Sequence, residues 1–237
     1  MSQQFPGLAV VMGSSGGLGS ALVAQLESSG ACQRVLGFAR NSALPIDYFN
    51  EESIAQAAKF TAARCEAEGL PLSLLMVATG FLHGQSGQPE RSFAQLDAAY
   101  LQHVFAVNTL GPALVMKHFL PLLPKSGRCV AGFVSARVGS IGDNALGGWY
   151  GYRASKAALN QLVKTASIEM TRRNRQSICV ALHPGTVDTP LSQPFAKTGL
   201  KVRPPAEAAA DLLRVLAAIA PGDTGKLVDY QGQVLPF

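Results

Sequence analysis

The apolar run Leu8-Ala9-Val10-Val11-Met12 is followed at once by Gly13-Ser14-Ser15-Gly16-Gly17-Leu18-Gly19. Leu18, Ala21, Leu22 and Leu26 then recur at helical spacing. A strand that turns through glycines into a helix leaves few folds open. Gly13 suits the tight turn, Gly17 lets the backbone approach a pyrophosphate, and Gly19 lets the helix pack closely on the strand. The helix N-terminus offers unpaired N–H groups and the positive end of its dipole to phosphates. Gly13, Ser15, Gly17, Leu18 and Gly19 are therefore candidate positions for binding a dinucleotide. A plain glycine-rich turn would use the same residue types, and it is the strand-to-helix context that favours the binding loop.

Short apolar runs alternate with amphipathic stretches along the rest of the chain. Residues 35–39 form a second strand candidate, followed by a short one at 44–46, with room for only a very short helix between. Ile54, Ala57, Ala58 and Cys65 mark a helix, and 72–78 a buried strand. A long helix over roughly 93–123 is expected to kink at Gly111-Pro112. A strand at 128–134, a helix at 149–173, a strand at 177–182, a helix at 205–218 and a closing strand at 226–229 complete the series. Such alternation predicts a single doubly wound parallel sheet with helices on both faces, one domain spanning 1–237.

Tyr152-Arg153-Ala154-Ser155-Lys156 lies within the predicted helix at 149–173. A spacing of four puts the phenol and the ammonium on one helix face, about one turn apart. The cation is expected to favour the phenolate and pull the tyrosine pKa down, giving an acid/base that works near neutral pH. At the end of the second strand stand Ala39-Arg40-Asn41-Ser42, with no acidic residue to hydrogen-bond a ribose 2′-hydroxyl. Arg40 suits the 2′-phosphate of NADP instead, or is an ordinary solvated arginine. Asp47 has two readings, an acceptor for the adenine amino group or a cap for the helix entered at Asn50.

These motifs, with Asn108 in the long helix and Pro184-Gly185-Thr186-Val187-Asp188-Thr189 after the sixth strand, resemble the short-chain dehydrogenase/reductase family over essentially the whole chain. The stretch from Ser135 to Lys156, with Asp143-Asn144 and Gly147-Gly148-Trp149-Tyr150, is more narrowly similar to the C-factor and Sniffer-type carbonyl reductase branch. The resemblance implies a Rossmann fold, NADP(H) as cofactor and a small carbonyl or alcohol as substrate. It implies that Tyr152 exchanges a proton with the substrate oxygen, that Lys156 also binds the nicotinamide ribose, and that Asn108, exposed at a helix irregularity, holds a water linked to Lys156. Pro184, Gly185, Val187 and Thr189 would grip the nicotinamide end of the cofactor, and Thr79-Gly80 would approach the adenine ribose. A homodimer or homotetramer built on the long helix and the Tyr152 helix is also implied.

The chain departs from the family pattern twice. Val77-Ala78-Thr79-Gly80 replaces the usual Asn-Asn-Ala-Gly, and the catalytic serine position is Ala136 in Ser135-Ala136-Arg137-Val138-Gly139. Ser135 would face away in a regular strand, so an irregular strand end is needed to turn its hydroxyl inward, with Ser140 as the reserve. His83, Arg137 and Trp149 are candidates for the pocket wall, against solvation for the histidine and plain packing for the tryptophan. A short flap over about 190–204, with Phe195, would cover the substrate.

Composition narrows the alternatives. The 48% hydrophobic content is ample for a core, and a net charge of +5 with 7% aromatic residues gives no nucleic-acid surface. Cys32, Cys65, Cys129 and Cys179 lie far apart without metal-ligand spacing, and the N-terminal apolar run is too short for a signal or membrane span. The expectation is a cytoplasmic protein without metal. A nucleotide-sugar epimerase would need a larger C-terminal part. A regulatory protein that retains the dinucleotide site is the remaining competitor.

Overall fold

A computed structural model describes residues 4–195 and 202–237. In chain order the elements are β1 (Leu8–Met12), α1 (Gly17–Ser29), β2 (Arg34–Phe38), α2 (Glu51–Glu68), β3 (Leu72–Val77), α3 (Ala98–Phe105), α4 (Gly111–Phe119), β4 (Cys129–Val134), α5 (Tyr150–Arg173), β5 (Ser177–His183), β6 (Thr186–Val187), β7 (Val202–Arg203), α6 (Pro205–Ala218), β8 (Leu227–Asp229) and β9 (Val234–Leu235). The main sheet has the order β2-β1-β3-β4-β5-β8-β9 and is parallel throughout except for β9, which runs antiparallel to β8. Alternate residues of β1, β3, β4 and β5 feed two cores. Leu8, Val10, Leu75, Ala131 and Cys179 pack against the α2, α4 and α5 layer. Ala9, Val11, Met76, Val130 and Val180 pack against α1 and α6. Central strands buried on both faces account for their nearly unbroken apolar runs.

The order reverses between β1 and β3, since the chain leaves β1 toward β2 and later returns on the opposite side. Ligands of doubly wound sheets bind in the crevice at the strand C-termini beside such a reversal. The Gly13–Gly19 loop, Arg40 and Thr79-Gly80 all lie at these strand ends.

Four expectations are corrected. No strand forms at 44–46, so Asp47 does not close one. Pro45 has no N–H for a ladder, and the Ser42 hydroxyl donates to the carbonyls of Ala39 and Leu44, closing the loop on itself. The helix expected over 93–123 is segmented. A 3₁₀ turn at Phe93–Gln95 precedes Asp97, whose carboxylate accepts from Tyr100 N and caps α3. Between α3 and α4 the chain widens into a π turn at Ala106–Leu110. Pro112 cannot donate to the carbonyl four residues back, that of Asn108, so the irregularity sits one turn ahead of the proline. Finally, β9 rather than β8 forms the sheet edge, and β6 pairs with β7 in a separate two-stranded sheet.

Tyr48 fastens the loop after β2 to the long helical segment. Its hydroxyl bonds the Thr79 hydroxyl at 2.9 Å, and a Cβ on Gly111 would lie 2.0 Å from its ring. This hydroxyl pair links β3 to its neighbouring loop in a chain that lacks the asparagines usual in that place. Gly111→Ala should therefore overpack the contact and cost about 1–3 kcal/mol in urea unfolding. In a Tyr48→Ala background the same change should cost little, which a double-mutant cycle will measure.

Candidate active site

Tyr152 and Lys156 emerge from α5 one turn apart, both buried, with the ammonium 5.8 Å from the phenol ring centre. Lys156 Nζ donates to Val134 O at 2.9 Å, at the end of β4. Gly139 makes this possible, because a Cβ there would stand 2.7 Å from Lys156 Cβ. Burial lowers the lysine from the ordinary 10.5 to about 8 and pushes Tyr152 up to about 12. The expected depression of the tyrosine is thus reversed, because burial desolvates the phenolate. Tyr152 is therefore a protonated phenol at neutral pH.

Asn108 lies at the π turn, as the sequence suggested, but it is fully buried rather than exposed. Its Oδ1 accepts from Phe81 N at 2.8 Å, while Nδ2 donates to Phe81 O at 2.8 Å and to Ser155 Oγ at 3.1 Å. Ser155 Oγ in turn donates to Tyr152 O, and Thr109 Oγ1 donates to Ser155 O. Asn108 therefore clamps the loop after β3 to the catalytic helix. Gly80 sits beside the clamp, where a Cβ would meet both Asn108 Oδ1 and Lys156 Nζ at 3.8 Å.

Ser135 continues the regular alternation of β4, so its hydroxyl faces α5 without any bulge. It donates to Asn160 Oδ1 at 2.7 Å, and Asn160 Nδ2 donates to Gly139 O. The hydroxyl thus ends on Asn160, two turns from Tyr152, and staples the β4 exit to α5. Ser140 Oγ accepts from Asp143 N at 3.1 Å, which leaves its proton uncommitted. Neither serine is hydrogen-bonded to Tyr152 among the described residues.

The candidate nucleotide positions converge. Gly13 has φ +83°, and a Cβ on it would lie 2.9 Å from Thr79 Cγ2. On Gly19 it would lie 2.0 Å from Gly13 O, and on Gly17 it would lie 2.8 Å from Thr189 Cγ2. The glycine loop is thereby seated between Thr79 and Thr189. Gly16 occupies the N-cap of α1 without a side-chain cap, leaving the first-turn amides to an incoming anion. Ser15 is exposed, whereas the Leu18 side chain is buried in the α1/α6 core, so only its backbone faces the loop. Arg40 is exposed and pairs with no carboxylate among the described residues. The Asp47 carboxylate accepts from Phe49 N, and Asn50, not Asp47, caps α2. Val187 O accepts from the Ser192 hydroxyl. Arg203, which the sequence did not single out, holds Pro184 O, stacks 4.1 Å from the Tyr230 ring centre and pairs with Asp211. These residues fit a dinucleotide: a glycine cradle for phosphates, and a buried ammonium with one protein acceptor and two further N–H bonds.

The rim is aromatic. Trp149 lies edge-on to Tyr152 and to Phe195, with ring centres at 6.2 and 5.1 Å, and His83 lies edge-on to Phe195 at 5.3 Å. His83 Nε2 also bonds Pro190 O at 2.9 Å. Arg137 turns outward to pair with Asp143. Of the expected flap, 196–201 lies outside the described residues, while Gln193–Phe195 forms a 3₁₀ turn. Among the described residues no helix is long and apolar enough to cross a membrane.

A glycine loop at the strand ends beside a buried tyrosine and lysine is the arrangement a nucleotide-dependent oxidoreductase requires. The chain belongs to the short chain dehydrogenase family, whose model matches residues 7–199. It is 34% identical over 146 residues to the C-signal of Myxococcus xanthus, covering 62% of this chain and 84% of that protein. It is 29% identical over 192 residues to 1-hydroxy-2-glutathionyl-2-methyl-3-butene dehydrogenase of Rhodococcus sp., covering 81% and 78%. Its fold is shared by the NADPH-bound carbonyl reductase from chicken fatty liver, with TM-score 0.83 and 23% identity over 97% of this chain and 94% of that one. Carbonyl reductase Sniffer of D. melanogaster gives TM-score 0.83 and 22% identity over 98% and 99%.

The buried lysine has a measurable signature. Its pKa is lower in the folded chain than in the unfolded one, so between about pH 8 and 10.5 the unfolded lysine holds more of its proton and the contribution of Lys156 to stability rises with pH. In urea unfolding across this window, Lys156→Met should lack that rise and be more stable than the native chain below pH 8. Parallel pH profiles of the two proteins would exclude a depressed lysine.

Proposed function

We propose that the protein is an NADP(H)-dependent reductase of small carbonyl compounds, running in reverse as an alcohol dehydrogenase. The observation that carries this reading is the buried, protonated Tyr152 one turn from a buried Lys156, beside a glycine cradle for a dinucleotide. When bound, the reduced nicotinamide supplies the hydride. Tyr152 donates its phenolic proton to the carbonyl oxygen, so that carbonyl, hydride and proton give the alcohol. Lys156 holds ribose hydroxyls and, as a cation beside the phenol, stabilises the phenolate left by proton transfer. Asn108 keeps Gly80 and the Tyr152 turn in register. Pro184, Gly185, Val187 and Thr189 orient the nicotinamide end, and Thr79 and Gly80 line the adenine ribose. Asp47 remains a candidate acceptor for the adenine amino group. Ser135 acts by fixing the β4 exit through Asn160, and Ser140, with its proton uncommitted, is the better candidate for a second donor. A homodimer or homotetramer through the α3–α4 segment and α5 fits the exposed Leu110 of the π turn and Ile168 of α5.

Arg40 carries the choice of NADP over NAD, supported by its having no carboxylate partner among the described residues and by the NADPH in the chicken reductase structure. NADPH should bind roughly ten- to a hundredfold tighter than NADH, the scale of one or two charge-assisted hydrogen bonds. Arg40→Asp should reverse the order in fluorescence titrations, and equal dissociation constants in the native chain would contradict the assignment.

Tyr152→Phe should lower kcat on a carbonyl panel by a factor on the order of a hundred to ten thousand while leaving the NADPH dissociation constant unchanged. Near-native turnover in that variant would remove Tyr152 as the acid. The likeness to the C-signal favours a second reading, a regulatory protein that retains the dinucleotide site. A native chain that binds NADPH but reduces none of a broad panel of aldehydes and ketones would support it.

A further inference from the structure

Glu90 is 2% exposed and pairs with no lysine, arginine or histidine among the described residues. A buried carboxylate without a cation is costly, and something must compensate it. Both of its oxygens accept from Gly151 N, at 3.1 and 3.2 Å, in the first turn of α5. The N-terminal end of a 24-residue helix supplies the missing positive potential. The contact needs glycine: a Cβ on Gly151 would stand 3.1 Å from Glu90 Oε1 and 2.9 Å from Leu101 Cδ2.

The backbone of the same residue makes a second contact. Glu90 O accepts from Trp149 N. Trp149 has φ 54° and ψ 44°, and it is the one non-glycine residue with positive φ among the described residues. A bulky side chain in the left-handed region is strained and persists only where its surroundings hold it. What this turn secures is the indole, edge-on between Tyr152 and Phe195. One residue outside the nucleotide site thus grips the two residues that flank the start of α5, immediately before Tyr152.

We propose that Glu90 is a positioning residue for Tyr152: it fixes the first turn of α5, and with it the height of the phenol and the placement of the Trp149 indole at the substrate mouth. The proposal rests on Tyr152 being the acid, yet half of it can be tested without turnover. Trp149 is the only tryptophan in the chain, so intrinsic emission reports its environment directly.

The experiment compares Glu90→Leu, which removes the acceptor, with Glu90→Gln, which keeps a carbonyl oxygen for Gly151 N. The readouts are Trp149 emission and acrylamide quenching, NADPH affinity by titration, and kcat with 4-nitrobenzaldehyde. Glu90→Leu should show red-shifted, more quenchable emission and a kcat lower by on the order of a hundredfold, the scale of a misplacement near 1 Å, with NADPH affinity within twofold. Glu90→Gln should stay close to the native chain in all three. If Glu90→Leu does not fold, Gly151→Ala, whose Cβ crowds the carboxylate away, must give the same split. Unchanged emission and kcat in the folded variant overturn the proposal, as does an equal loss of NADPH affinity and kcat, which would mark a general structural role. Altered emission in a chain that reduces no carbonyl supports the positioning of Trp149 and overturns only the assignment of Tyr152 as acid.

Discussion

The buried Lys156 ammonium, held by the Val134 carbonyl, is the contact on which the rest of the site depends. A cation in so dry a place must find its acceptor at a fixed distance, so α5 has to lie hard against the end of β4. That approach is permitted by the missing side chain of Gly139 and secured by Ser135 through Asn160. The same burial that depresses the lysine raises the neighbouring tyrosine. Together they give a protonated phenol beside a lysine whose charge is sensitive to what enters the site.

Around this contact, distant segments are joined by groups that sit close because a side chain is small or absent. Thr189 rests on Gly17, Thr79 on Gly13, and the Tyr48 ring on Gly111. Asn108 ties the β3 exit to α5 with three hydrogen bonds, and Arg203 ties the loop after β5 to Tyr230 and α6. The nucleotide crevice is therefore a set of packed loop contacts at the strand ends, with the helices behind them as rigid supports.

Much of this was legible in the sequence because it rests on local pattern. The strand-to-helix glycine loop, the Tyr152/Lys156 spacing and the alternation of apolar runs each need only a short window of residues. What escaped was decided by competition between local and long-range bonds. Residues 44–46 look like a strand, yet Ser42 offers the Leu44 carbonyl a nearer partner. The 93–123 stretch is helical by pattern, yet Asp97 caps a fresh start and Pro112 has no N–H for the regular ladder. Ser135 was expected to face away in a regular strand, yet regular alternation turns it toward α5, where Asn160 rather than Tyr152 accepts from its hydroxyl.

The sequence alone determined the doubly wound class and the alternation of strands and helices, and it placed the tyrosine, the lysine and the glycine loop within that frame. Only the tertiary structure decided that Asn108 is a buried clamp and that burial raises rather than lowers the Tyr152 phenol. It also brought Glu90, sixty residues away in the chain, onto the first turn of α5. The physical reason is that hydrogen-bond partners and desolvation are properties of neighbours in space. No spacing along the chain records which carboxylate a helix end will face, or how much water a phenol will lose.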